Sequence, residues 1–192
     1  IPTWVVFISM SSIFKRFEEA RWFRQEVAAM WQRLYRVAYS WCHDPHLTAD
    51  LVQDTMAKAL KNHHQLRDRA ALQGWLFVIL ANCWRDHCRR ARDTVDIDAM
   101  ELSHDSDLET DSDRIELLQR VRAAIARLSP NHREVLTLVV LEGMAYDDVA
   151  KVLDIPIGTV TSRLCRARGV LRRNLHENGV AGATTATLRS VI

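Results

Sequence analysis

The sequence has few of the residues that mark secreted, membrane-spanning or fibrous proteins. Its 192 residues include only four cysteines, four prolines and six glycines. The cysteines form no CxxC pair and have no regular spacing, which favours a reducing compartment over a disulfide-bonded secreted fold. The longest apolar runs, near residues 76–81 and 135–141, are too short to cross a bilayer. We therefore expect a cytoplasmic protein without structural disulfides.

Hydrophobic residues, by contrast, are abundant enough for folded domains. They make up 48% of the chain, whose length suits one ordinary domain or two small ones. Residues 1–9 are apolar, lack the basic start of a signal peptide and precede Met10. We interpret residues 1–9 as a non-native or upstream extension and leave them out of the fold prediction.

The net charge is only +2, but charge is strongly segregated along the chain. Residues 10–93 carry 14 Lys and Arg against 9 Asp and Glu, and residues 114–175 carry 11 against 6. Residues 94–113 have 8 acidic side chains and no basic one. Basic blocks favour a polyanionic partner, whereas an acidic stretch without aromatic residues is typical of a solvated linker. We therefore expect two domains, 10–93 and 114–177, joined by a flexible acidic linker and followed by a flexible tail, 178–192.

Hydrophobic periodicity predicts an all-α fold for both domains. In the first, residues 12–42 have a helical pattern with room for one break, and Asp44-Pro45 begins a helix that ends near Lys61. A further stripe at helical spacing consists of Leu72, Trp75, Leu76, Ile79, Leu80 and Cys83. Because Trp75 lies in this stripe, we expect it to pack in the core.

The second domain has the pattern of a helix-turn-helix. Two apolar stripes, from Leu117 to Leu128 and from Val135 to Val139, precede a Gly-containing turn. Short helices then follow at about 146–153 and 158–173, separated by Asp154-Ile155-Pro156. A short helix, a tight turn and a longer basic helix are typical of DNA-binding proteins.

The last predicted helix separates an apolar face from a basic one. Val160, Leu164, Ala167 and Leu171 are spaced to pack inward. Five arginines and no acidic residue lie in residues 158–173, and small polar residues precede them. This face suits the DNA major groove, because arginine can hold guanine while its neighbours grip phosphates. The predicted contact residues are Thr161, Ser162, Arg163, Cys165, Arg166, Arg168, Arg172 and Arg173.

Three groups of residues resemble the extracytoplasmic-function (ECF) sigma factors of bacterial RNA polymerase. Leu128-Ser-Pro-Asn-His-Arg-Glu-Val-Leu, Gly143-Met-Ala-Tyr-Asp-Asp-Val-Ala and Gly158-Thr-Val-Thr-Ser-Arg-Leu-Cys-Arg-Ala-Arg are similar to region 4, which reads the minus thirty-five promoter element. Residues 49–59 resemble the region 2 helix that grips the polymerase clamp, and residues 75–90 resemble the helix that faces the minus ten element. The resemblance implies core polymerase, promoter DNA and an anti-sigma factor as partners.

The charge and polarity of the residues that resemble region 2 also suggest their roles. Asp50, Gln53 and Asp54 share one face of a helix, and an acidic face in a basic domain suits a basic protein partner rather than DNA. The resemblance identifies that partner as the coiled coil of the polymerase clamp. We therefore predict that these three residues bind core polymerase.

The next helix has a polar side that suits single-stranded DNA. An asparagine can bond a base edge while arginines hold the phosphates. By resemblance, the preceding loop, residues 62–71, shapes a pocket for one flipped base. The predicted minus ten residues are Asn82, Arg85, Arg89 and Arg90 on the helix, with Gln65, Leu66 and Arg67 as the pocket wall.

Two other classes of function remain open from the residues alone. A helix-turn-helix regulator with a sensor domain would bind DNA without being a polymerase subunit, but it would have no use for the acidic face of residues 50–54. A metal-dependent enzyme would use Cys83, His87 and Cys88, which lie within about one and a half helical turns. A structural zinc ion has four ligands and no fourth is in sight. We therefore expect no metal, no cofactor and no catalytic residues.

Overall fold

A computed structural model describes residues 18–94, 121 and 123–177 of the chain. Every regular element in this part is helical, which confirms the predicted all-α class. The predicted extension 1–9, the tail 178–192 and all of the predicted linker except Thr94 lie outside the described residues.

Residues 18–94, the first half of the molecule, form four α-helices. Helix α1 covers residues 18–29, and a turn at Met30 separates it from α2, Trp31–Cys42. Helix α3, Pro45–Lys61, begins where the Asp44 carboxylate accepts hydrogen bonds from the backbone of His46 and Leu47. Two short 3₁₀ turns, His63–Gln65 and Arg69–Ala71, lead to α4, Leu72–Thr94. The predicted single break in residues 12–42 therefore lies at Met30.

The second half ends in the predicted helix-turn-helix. Helix α5, described at residues 121 and 123–126, is followed by α6, Pro130–Val140. Gly143 adopts a positive φ of 65° in the turn that leads to α7, Tyr146–Leu153. Asp154, with φ of 52°, ends α7 in the left-handed conformation. The last helix, α8, is Ile157–Glu177 and is longer than the pattern predicted.

The apolar residues of the first half form a core between α1, α2, α3 and α4. Leu34, Trp41, Val52 and Leu80 are all buried there. The predicted α4 stripe is only partly correct, because Trp75 and Ile79 are half-buried whereas Phe77 and Ala81, which lie outside the stripe, are buried. The buried surface is wider than one stripe since α4 packs against α2, α3 and α7.

The core of the second half follows the sequence pattern except at Val139, which is only half-buried. All four predicted inward residues of α8 are buried, as are Val121, Ile125 and Leu128 of the preceding stripe. Helix α8 packs on α6 and α7, which fixes the orientation of its opposite face toward solvent. This packing positions the recognition helix for contact with a partner.

The two halves pack directly on each other, through α2 with α6 and α4 with α7. Arg133 of α6 is buried and donates a 2.7 Å hydrogen bond to the backbone oxygen of Trp41. The hydroxyls of Ser40 and Thr137 are 2.9 Å apart in the same contact. These buried polar contacts hold the helix-turn-helix half against the first half, an arrangement that the sequence pattern did not predict.

Candidate nucleic-acid and protein interfaces

The acidic face of α3 is formed as predicted. Asp50, Gln53 and Asp54 are all exposed on one side of the helix. The opposite side is buried, with Val52 and Thr55 fully covered and the Thr55 hydroxyl bonded to a backbone oxygen of the same helix. The buried side fixes the rotation of α3, so the three polar side chains are presented together to solvent.

The polar side of α4 carries the predicted asparagine and arginines together. Asn82, Arg85, Arg89 and Arg90 are exposed. Arg85 donates a 2.9 Å hydrogen bond to Asn82 Oδ1, and Arg89 forms an ion pair at 2.9 Å with Asp86 Oδ1. Arg85 also donates through its second terminal nitrogen to the backbone oxygen of Val152 in α7, at 3.1 Å. This last contact ties the candidate minus ten surface to the other half of the molecule.

The predicted pocket wall lies beside a cavity of about 400 Å³. Leu66 and Arg67 line this cavity, whereas Gln65 is exposed and is not among its lining residues. The remaining lining residues come mostly from α1 and the first 3₁₀ turn, and most of them are aromatic or basic. They are Glu19, Ala20, Trp22, Phe23, His63, His64 and Arg69. The Arg69 guanidinium lies 4.3 Å from the centre of the Trp22 ring. The sequence reasoning missed the α1 wall, although Arg21-Trp-Phe-Arg24 already combines aromatic and basic residues there.

The outward face of α8 is open and basic. Seven of the eight predicted residues are exposed. Four of them lie near the start of the helix: Thr161, Ser162, Cys165 and Arg166. The Thr161 and Ser162 hydroxyls bond to backbone oxygens one turn earlier, at 3.2 and 3.1 Å. Arg163 differs from the rest because it is half-buried. Arg163 is therefore less accessible to a partner than the other seven residues.

Glu134 of α6 lies at the contact between the two halves of the molecule and was not singled out from the sequence. Its carboxylate accepts a 3.0 Å hydrogen bond from Trp84 Nε1 of α4. Burial raises the pKa of Glu134, while the Trp84 hydrogen bond and the positive charges of Arg85, Arg163 and Arg133 oppose that rise. Glu134 thus forms a side-chain hydrogen bond between the two halves of the molecule.

The cysteine and histidine residues of α4 have neighbours unlike those of a metal site. Cys83 is buried with its sulfur 3.3 Å from Lys58 Nζ, and the His87 ring stacks on Trp84 with centroids 5.9 Å apart. Within the part of the chain that the structure describes, no three metal-ligating side chains come together. Over the same residues, no helix is both long and apolar enough to span a bilayer.

An acidic helix face, two basic helix faces and a helix-turn-helix are the features of a helical DNA-binding protein. The chain matches the family descriptions "Sigma-70 region 2" over residues 27–94 and "Sigma-70, region 4" over residues 118–171. It is 32% identical over 173 residues to the ECF RNA polymerase sigma factor EcfG of Rhodopseudomonas palustris, covering 88% of this chain and 94% of that protein. The chain therefore belongs to the ECF sigma factors, which are transcription initiation factors.

Other relatives and solved structures agree with this assignment. The chain is 28% identical over 149 residues to the ECF sigma factor SigM of Bacillus subtilis, covering 77% of this chain and 90% of that protein. The sigma factor RpoE of Bartonella quintana, solved with the anti-sigma factor NepR, superposes with a TM-score of 0.65 at 30% identity, over 80% of this chain and 96% of that one. CnrH, solved with the cytosolic domain of CnrY, gives a TM-score of 0.60 at 28% identity, over 83% of this chain and 94% of that one.

Proposed function

We propose that this sigma factor binds core RNA polymerase through Asp50, Gln53 and Asp54 of α3. The supporting observation is the separation of charge: these residues form an exposed acidic face, while the candidate DNA-binding faces on α4 and α8 are basic. A basic coiled coil would be attracted to the acidic face, and DNA would be attracted to the basic faces. One chain can therefore hold polymerase and promoter at the same time.

Promoter recognition is divided between the two halves in this proposal. Asn82, Arg85, Arg89 and Arg90 of α4 contact the single-stranded minus ten element, and Gln65, Leu66 and Arg67 border the pocket for a flipped base. The exposed face of α8 enters the major groove at the minus thirty-five element. Residues 10–93 and 114–177 then correspond to regions 2 and 4, with 94–113 as the linker.

Further parts of the proposal follow from the family. The protein acts in the cytoplasm, where its polymerase and promoter are found, and it takes part in no catalysis of its own. Control by an anti-sigma factor is supported by the sigma factor RpoE of Bartonella quintana, which was solved with the anti-sigma factor NepR. A helix-turn-helix regulator that acts without joining polymerase is the alternative, and it differs in having no need for core binding.

Reversal of the acidic face tests the core-binding assignment. The double variant Asp50→Lys/Asp54→Lys should lose at least about tenfold in affinity for core polymerase, because it places positive charge against a basic partner. Affinity is measured by titrating labelled chain with purified core, and circular dichroism checks that helicity is kept. The double variant Glu18→Lys/Glu26→Lys makes the same change in charge on exposed α1 and should bind nearly as wild type. Equal losses in the two double variants would contradict the assignment.

A further inference from the structure

An isoleucine lies exposed at the very start of the recognition helix. Ile157 is the first residue of α8, and 48% of its surface is open to solvent. Among the residues that the structure describes, the other exposed large hydrophobic residues are Trp31 and Leu60, and both lie in the first half. Within the described part of the second half, Ile157 is therefore the one large hydrophobic residue left exposed.

The turn before α8 contains a second isoleucine in a different environment. Ile155 is half-buried and packs against the core, whereas Ile157, two residues later, is exposed. Pro156 lies between them, and its backbone oxygen accepts hydrogen bonds from the backbone of Thr159 at 2.8 Å and of Val160 at 3.2 Å. The first turn of α8 is therefore hydrogen-bonded, and it holds Ile157 outside the core.

Ile157 extends the outward face of α8 toward the start of the helix. Thr161 and Cys165 follow it at spacings of four and eight residues, and both are exposed. The Thr161 hydroxyl donates to the backbone oxygen of Ile157 at 3.2 Å. The proposed function places this face in the major groove, where the N-terminal residues of a recognition helix contact base edges. Ile157 is thus at the end of α8 that approaches the bases.

The chemistry of the groove limits what an isoleucine can recognise there. Its side chain has neither a donor nor an acceptor of hydrogen bonds, so it cannot bond to a phosphate or to a polar base edge. In the major groove the bases present donors and acceptors, and thymine adds a methyl group at C5. Contact between this methyl group and an isoleucine removes apolar surface of both from water, which is favourable. Thymine is therefore the base that Ile157 suits.

We propose that Ile157 is a specificity-determining residue, which favours thymine at one position of the minus thirty-five element through contact with its methyl group. The proposal rests on the proposed function for the placement of α8 in the groove. It adds an apolar contact to the arginine and hydroxyl contacts assigned to this helix. The sequence pattern predicted α8 from residue 158, one residue too late to include Ile157.

Replacement of thymine by deoxyuridine tests the contact, because it removes the methyl group and keeps the base-pairing edge. The full chain first selects its preferred sequence from randomised duplexes, and that duplex is then prepared with each thymine replaced in turn. Affinity is measured by fluorescence anisotropy. Wild type should lose about three- to fivefold at one thymine, the effect of burying one methyl group. Ile157→Ala should bind both forms at that position equally, and Ile157→Val should keep a preference for thymine.

Leu60→Ala is the matched control, because Leu60 is 44% exposed and lies on α3 rather than on α8. L60A should depend on the thymine methyl group as wild type does, and circular dichroism checks that each variant keeps its helicity. An equal loss for wild type and I157A at that thymine would overturn the proposal. A preferred duplex that lacks thymine, or no loss for wild type at any thymine, would also overturn it.

The selection step separates this proposal from the proposed function. Recovery of a preferred sequence by wild type supports base reading by α8, whether or not a thymine methyl group takes part. Binding that is independent of sequence would contradict both base reading and the role of Ile157. A sequence preference that I157A leaves unchanged, with the same loss on thymine replacement, would contradict the role of Ile157 alone.

Discussion

At the scale of single residues, Arg133 connects several backbone segments that would otherwise lack hydrogen-bond donors. Its guanidinium donates to the oxygens of Trp41, Ala126 and Leu128, and burial lowers its pKa from the ordinary arginine value. A buried arginine is costly in free energy unless its donors are used. Here the two terminal nitrogens join α6 to the end of α2 and to the end of α5 and the turn after it, whereas Nε is buried without a hydrogen-bond partner.

Replacement of Arg133 should therefore destabilise the fold. Arg133→Met leaves three backbone oxygens without this donor, and we expect the free energy of unfolding to fall by about 2 to 4 kcal/mol. Urea unfolding followed by circular dichroism measures the change. Arg127→Met, at a nearby exposed position, should change the same quantity by less than about 0.5 kcal/mol. A loss for R133M no larger than that for R127M would show that these hydrogen bonds add nothing.

Substitutions of two α8 arginines should have different kinds of effect on DNA binding, one on sequence preference and the other on overall affinity. Arg166 is exposed in the early part of the recognition helix, opposite buried Leu164, and is placed to reach a base edge. Arg173 is exposed near the end of the helix, where we expect it to contact mainly phosphate. Arg166→Ala should cost on the order of 1 to 3 kcal/mol of binding and relax the preference at one base pair. Arg173→Ala should weaken binding to all sequences alike and lower the salt slope by about 1.

Selection from randomised duplexes at two salt concentrations separates the two expectations. The full chain of each variant is used, and the recovered sequences are compared with those from wild type. Losses that are equal and independent of sequence for both variants would mean that α8 does not read bases through Arg166.

The residue types on exposed helix faces were readable from the sequence, but their interhelical partners were not. The exposed positions of Asp50, Asn82 and Arg166 follow from helical spacing around buried neighbours. Glu134 and Trp84, by contrast, meet across 50 residues of sequence. Spacing within one helix carries no information about which distant helix will face it.

At the scale of elements, helix ends show how local sequence sets the fold. Asp44 caps α3 by accepting from two backbone N–H groups, at 2.8 and 3.1 Å, and Pro45 occupies the first helical position. Ser129 stands at the equivalent position before α6 and Pro130, but its side chain makes no capping hydrogen bond. The two helix starts therefore have similar sequences and different hydrogen bonding.

This difference gives a matched pair of substitutions. Asp44→Ala should lower the free energy of unfolding by about 1 kcal/mol, because two N–H groups at the start of α3 lose their acceptor. Ser129→Ala should have an effect of less than about 0.5 kcal/mol, since no capping bond is lost. Both are measured by chemical unfolding under the same conditions. An equal loss at the two positions would indicate that the Asp44 cap is not what stabilises the start of α3.

Helix ends were predicted well where capping or helix-breaking residues mark them. The extent of a buried helix face was predicted less well, because packing against other helices determines it. The start of α3 and the end of α7 follow directly from Asp44-Pro45 and from Asp154-Ile155-Pro156. The buried face of α4 was predicted too narrow, because Phe77 and Ala81 become buried only when helices pack on more than one side. Contact with α7 comes from a distant segment and leaves no periodic signal in α4 itself.

At the scale of the whole molecule, the chain combines one acidic and two basic surfaces on a single packed body. The proposed promoter contacts need the two basic surfaces far apart, whereas the structure holds α4 against α7. Residues 95–120 join the halves, and 26 fully extended residues reach about 90 Å at roughly 3.3 to 3.6 Å each. Elements centred ten and thirty-five base pairs upstream are about 85 Å apart at roughly 3.4 Å per base pair, so the covalent connection permits the separation that they require.

Run-off transcription tests the central claim, that this chain directs core polymerase to particular promoters. Purified core is assayed alone, with the wild-type chain and with the Asp50→Lys/Asp54→Lys variant, on a panel of promoter fragments. Wild type should give discrete transcripts from a subset of fragments, and the variant should give far less because it fails to hold core. Products that are the same with and without the wild-type chain, on every fragment, would contradict the account.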